Sequence, residues 1–67
     1  MNTDILEGKW KQFKGEIQNQ WGKLTDDDLA RIDGHREKFL GSLEENYGMA
    51  RDDAERALME FERIHQL

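Results

Sequence analysis

Apolar residues recur along this chain at helical intervals, with polar residues filling the gaps. Leu6, Trp10, Phe13, Ile17, Trp21 and Leu24 follow one another in steps of 4, 3, 4, 4 and 3, the spacing of a single helix face. Thr3 stands where a side-chain cap opens such a helix, and Gly22 where a left-handed residue closes it. Thr25-Asp26-Asp27-Asp28 reads as a capping box with an acidic third position, opening a short helix with Leu29 and Ile32 turned inward. Gly34 divides it from a third helix faced by Phe39, Leu40, Leu43 and Tyr47 and capped by Gly48. Ala54, Ala57, Leu58, Phe61 and Ile64 line a fourth. The expected fold is all-α, with four helices forming two packed α-hairpins.

The hairpins are related by an internal repeat. Gly8, Phe13, Gly15, Gly22, Asp26 and Asp27 return as Gly34, Phe39, Gly41, Gly48, Asp52 and Asp53, each 26 positions on. Leu6 with Ile32, Ile17 with Leu43 and Trp21 with Tyr47 are similar pairs on the same shift. Such a period marks a duplicated helical unit whose apolar face needs a second copy to cover it. The copies span about 1–33 and 34–67 of one domain, 1–67, each read as a long helix, a turn and a shorter helix. Interior glycine costs a helix about 1 kcal/mol against alanine, so Gly15 and Gly41 are expected at close helix crossings. The competing reading makes them tolerated surface residues.

Composition bounds the class. A chain of 67 residues buries only about 60% of its unfolded surface, so the core is small. Without cysteine it has neither disulfides nor thiolate metal sites, and helix packing must hold it. Charged residues reach 37% and mean hydropathy is −1.00, near the range where disorder competes, yet the apolar residues are spaced rather than diluted. Trp10, Phe13, Trp21, Phe39 and Phe61 are the expected core rings. Net charge is −5, with residues 1–24 at +1 and the remainder at −6. That balance disfavours bulk binding to nucleic acid or anionic lipid. The longest apolar run, Ala57-Leu58-Met59, is far short of the ~20 residues that cross a bilayer, and the first residues lack an export signal's basic and apolar regions. A cytoplasmic protein without membrane contact is expected.

Glu7-Gly8-Lys9-Trp10-Lys11-Gln12-Phe13-Lys14-Gly15, then Trp21-Gly22-Lys23-Leu24-Thr25-Asp26-Asp27-Asp28-Leu29, resembles the CsbD-like family of small bacterial proteins. The likeness continues through Gly34-His35-Arg36, Gly41 and Tyr47-Gly48 to Ala54-Glu55-Arg56. It implies a four-helix domain of two α-hairpins linked to general stress responses, with no established biochemical activity. Two positions depart from the family pattern: His35 stands where lysine is usual, and Ala50 where a serine or threonine cap is expected. The second departure implies a weakly capped fourth helix.

Candidate chemistry is sparse. Asp26, Asp27 and Asp28 invite a metal, but hard cations need six to eight converging oxygens, and consecutive residues at a helix start splay apart. Capping and a favourable meeting with the helix dipole explain them. His35 and His65 fit no ligand or triad spacing, and a chain this short has little room for a cleft of several hundred cubic ångströms beside its core. No enzyme activity, cofactor or metal is expected. The one binding pattern sets Lys9, Lys11, Lys14 and Lys23 among Trp10, Phe13 and Trp21, with Gly22 and Gly48 able to present turn N–H groups to phosphate. Because those rings share the apolar stripe, they are expected inside, which weakens a nucleic-acid reading without removing it. The partner is left open. A monomer is expected, since the leftover apolar residues Met49, Met59 and Leu67 form no heptad seam.

Overall fold

In a computed structural model the described residues are 8–66, and Thr3, Leu6 and Leu67 lie outside them. Four α-helices and no strand occur among the described residues: α1 Trp10–Gln20, α2 Asp26–Ile32, α3 Arg36–Tyr47 and α4 Arg51–Ile64. The all-α expectation therefore holds.

Helix ends follow local chemistry. At α2 the Thr25 hydroxyl accepts from the Asp28 N–H at 3.1 Å, and the Asp28 carboxylate accepts from the Thr25 N–H at 3.0 Å. Both halves of the expected capping box are formed. Asp33 and Gly34, at φ 44° and 83°, then turn the chain through left-handed geometry, as Gly48 at φ 65° does after α3. Ala50 opens α4 with no side-chain hydrogen bond, the weak cap expected there.

Gly22 corrects the sequence reading, since it does not take a positive φ. Helix α1 ends instead at Trp21, which leaves helical geometry at φ −118° and ψ 77° while its N–H still donates to the Ile17 carbonyl at 2.8 Å. A Tyr47 side chain fixes the turn: its hydroxyl accepts from the Lys23 N–H at 3.0 Å. The tertiary contact replaces the glycine cap.

The second unit also departs from the long-then-short pattern. Helix α4 has 14 residues, against 12 in α3 and 7 in α2. The left-handed pair Asp33-Gly34 stops α2, whereas the residues 26 positions on, Met59-Glu60, continue α4 without strain.

The core joins all four helices. Ile17, Leu24, Leu29, Ile32, Phe39, Leu40, Leu43, Ala54, Leu58 and Phe61 are essentially sealed from solvent, and both tryptophans are buried with them. Backbones come closest between α2 and α3 and between α3 and α4. Helix α1 instead docks through rings: Trp10 meets Phe39 edge-on at 6.3 Å, Phe13 meets Phe61 at 6.2 Å, and Trp21 sits 5.1 Å from Phe39 and 5.5 Å from Phe61. These spacings lie in the favourable range for aromatic pairs. The expected crossings at Gly15 and Gly41 are absent, since a Cβ at either would meet no neighbour within 4 Å. Gly15 is exposed and Gly41 is partly exposed with open space beside it, so neither glycine sits at a close helix crossing. Ile64 also leaves the predicted core face and is exposed, as is Met59, whereas Met49 packs partly against the core.

Candidate functional site

Arginine and lysine have separate roles. Every arginine is paired: Arg31 with Asp28, Arg36 with Glu62, Arg51 with Glu37, Glu44 and Glu55, Arg56 with Asp53, and Arg63 with Glu60. Among the described residues no lysine pairs with a carboxylate, and Lys9, Lys11, Lys14, Lys23 and Lys38 are all exposed. The forked guanidinium suits fixed pairing, and the hydrated ammonium suits the solvent. Arg51 bridges elements, donating to Glu37 of α3 at 2.7 Å and to Glu55 of its own helix at 3.4 Å. The hydrogen bond to Glu37 raises its pKa above the ordinary arginine value. The Arg63 guanidinium holds the Glu60 carboxyl below its usual range, and that same hydrogen bond raises Arg63.

The predicted contact residues fall into two groups. Lys23 lies at the α1–α2 turn with its Nζ 5.3 Å from the centre of the Tyr47 ring, which brings Gly22 and Lys23 beside Tyr47 and Gly48. Lys9, Lys11 and Lys14 are strung along α1. Lys11 and Lys14, three residues apart, share one flank about 60° wide, whereas Lys9 precedes the helix as its N-cap. Stacking surface is missing beside them: Trp10 and Trp21 are buried, and Phe13 packs against Phe61 and, at 5.2 Å, the His65 ring. At the α1–α2 turn two N–H groups are spent, Lys23 on Tyr47 and Leu24 on the Trp21 carbonyl at 3.0 Å.

The aspartate run splays as expected. Asp26 accepts from the Gln18 amide at 3.1 Å, Asp27 faces solvent, and Asp28 turns back onto the Thr25 N–H and Arg31. The Thr25 N–H is the main reason the Asp28 carboxyl is held below its ordinary range. Among the described residues no three His, Cys, Asp or Glu side chains converge as metal ligands do. His65 is a packing residue, with its ring 4.2 Å from that of Phe61.

Sequence reasoning missed two open grooves. One, of about 600 Å³, runs between α2 and α3 and is lined by Arg31, Lys38, Gly41, Ser42, Glu44 and Glu45. The other, of about 780 Å³, adjoins it along Thr25, Asp27, Asp28, Ala30 and Arg31. Both lie open on the surface and take no volume from the core, so neither is the enclosed cleft that the chain length argues against. The signal was present in the spacing of Lys38, Gly41, Ser42 and Glu45, one face of α3.

Buried rings, arginines paired within and between helices, and exposed lysines define a small, charge-coated helical domain, and none of its described helices is long and apolar enough to cross a membrane. The chain belongs to the CsbD-like family, whose profile matches residues 4–56. It is 48% identical to the UPF0337 protein YjbJ of Escherichia coli O6:H1 over 65 residues, covering 97% of this chain and 94% of the relative. It is 49% identical to the UPF0337 protein PA4738 of Pseudomonas aeruginosa over 61 residues, covering 91% and 94%. It is 47% identical to the UPF0337 protein ECA0631 of Pectobacterium atrosepticum over 66 residues, covering 98% and 96%. These names state a family and no activity. No solved structure matches the chain.

Proposed function

We propose that the protein is a non-enzymatic, stress-associated interaction or structural module, working as a monomeric single domain, 1–67, in the cytoplasm. Its repeat copies are about 1–33 and 34–67. The observation that carries this reading is the split between paired arginines and unpaired lysines. Arg36 and Arg51 join helices, Arg31, Arg56 and Arg63 pair within their own helix, and the lysine charge faces water. Such a surface keeps a small domain soluble when salt or water activity changes. The stress link rests on the family resemblance. Crosslinked capture from stressed and unstressed cells, scored for protein, RNA and DNA together, tests the reading: a defined protein partner enriched under stress supports it, and turnover of a co-purifying substrate overturns it.

The second reading is a nucleic-acid module using Lys9, Lys11, Lys14, Lys23, Gly22 and Gly48. The contact of Lys23 with Tyr47, the neighbour of Gly48, favours it; buried rings and the bonded Lys23 and Leu24 N–H groups weigh against it. Amide-shift titration with single- and double-stranded oligonucleotides at moderate salt decides. Saturable shifts at Lys9, Lys14, Gly22 or Gly48 would establish the nucleic-acid reading in place of the first.

A further inference from the structure

We propose that the α2–α3 groove binds a small zwitterion, an amine and a carboxylate on one short carbon chain, with Lys38 taking the carboxylate and Glu45 the amine. This site is separate from any macromolecular contact made by α1. Four residues at i, i+3, i+4 and i+7 on α3 build its wall: Lys38, Gly41, Ser42 and Glu45.

Elimination selects the two charges. Four charged residues line the groove, and two already face an opposite charge: Arg31 meets Asp28, and Glu44 meets Arg51 at 3.6 Å, a Coulombic contact that leaves the same Glu44 oxygen buried without a hydrogen bond. Lys38 and Glu45 make no ion pair among the described residues and are exposed. Seven helical residues separate them by about 10 Å along the axis, in line on one face. A contact of about 3 Å at each end leaves about 4–5 Å between the ligand's own charges, the reach of a short amino acid.

The space between those charges is prepared. Ser42 is buried to 7% exposure, lines the groove, and its hydroxyl bonds no group among the described residues. Gly41 beside it sits inside a helix at a conformational cost, with no helix crossing to repay it. A side chain there would project into the groove, so glycine keeps the wall open. A single anion or cation would meet one favourable end and one repulsive end; a zwitterion satisfies both.

The full chain is titrated with 3-aminopropanoate, whose charges lie about 4–5 Å apart when extended, and followed by amide shifts, with propionate and propylammonium as singly charged probes. Saturable shifts confined to Lys38, Gly41, Ser42 and Glu45 are expected, with a millimolar midpoint suited to an open site and a small ligand. Each single-charge probe is expected to bind at least about fivefold more weakly, as is the zwitterion to Lys38→Glu or Glu45→Lys. The double reversal K38E/E45K is expected to recover binding to within about twofold, because the zwitterion turns around. Gly41→Leu, which places its side chain in free space, is expected to fold and to lose binding. Non-saturating shifts, equal binding of propionate, an unaffected Gly41→Leu protein, or a double reversal as weak as either single change each overturn the assignment.

Discussion

Arg36, in the first turn of α3, donates to Glu62, near the end of α4, at 2.6 Å, although the Glu62 side chain is only 5% exposed. The second carboxylate oxygen of Glu62 is buried without a hydrogen-bond partner. A buried pair of this kind fixes how two helices meet more than it adds to stability, because desolvation offsets much of the attraction. Removing one partner is another matter. Arg36→Met strands a buried charge and is expected to cost about 3–5 kcal/mol, whereas R36M/E62L is expected to recover most of that loss. Urea denaturation of both variants checks it, and a double variant as unstable as the single one refutes the account.

The capping box makes α2 acid-sensitive. Because the folded state holds Asp28 below its ordinary range, its contribution is present above the unfolded value of about 4 and is lost as pH falls through the lowered folded value. Helicity followed by circular dichroism is expected to weaken at the acid end, less steeply in Asp28→Asn. Thr25→Ala, at pH 7, is expected to cost about 1 kcal/mol. Parallel acid titrations of wild type and Asp28→Asn would count against this cap.

Glycines 15 and 41 are expected to be improvable. With open space where a Cβ would lie, Gly15→Ala and Gly41→Ala are each expected to gain about 1 kcal/mol and raise the melting midpoint by about 4–8 °C. Gly48→Ala is expected to lose about 1–2 kcal/mol, because its φ of 65° is left-handed. Calorimetry on the three proteins separates the cases, and a fall at position 15 would restore the close-crossing idea.

Trp21 is the ring whose loss is expected to matter most, since it touches both Phe39 and Phe61 and also ends α1. Trp21→Ala removes about 3–5 kcal/mol from a domain whose total is about 3–10, so much of the population is expected to unfold. In the wild type both indoles are expected to resist iodide quenching. Ready quenching of either one would contradict the ring cluster.

The positions of the helices were legible because local chemistry sets them: the apolar stripe Trp10, Ile17, Trp21 and Leu24, the box at Thr25 and Asp28, and the left-handed residue Gly48 each act within a few neighbours. Gly22 misled because its turn is fixed by Tyr47, which is 24 residues from Lys23 in sequence. The lysine candidates were legible as exposed charges, but their division into an α1 flank and a turn cluster depended on how α1 sits against α3. The Lys38–Glu45 face went unread because the groove along it is closed on its far side by Arg31, a residue of another helix.

The sequence by itself determined four helices, most of their boundaries, the buried rings and the family, since periodicity and capping are properties of nearby residues. Tertiary structure alone decided that rings rather than glycines join α1 to the rest, that Arg36 finds Glu62, and that α2 and α3 leave a charged groove. Side-chain volumes and long-range pairing set those outcomes, and neither is encoded in the spacing along one helix.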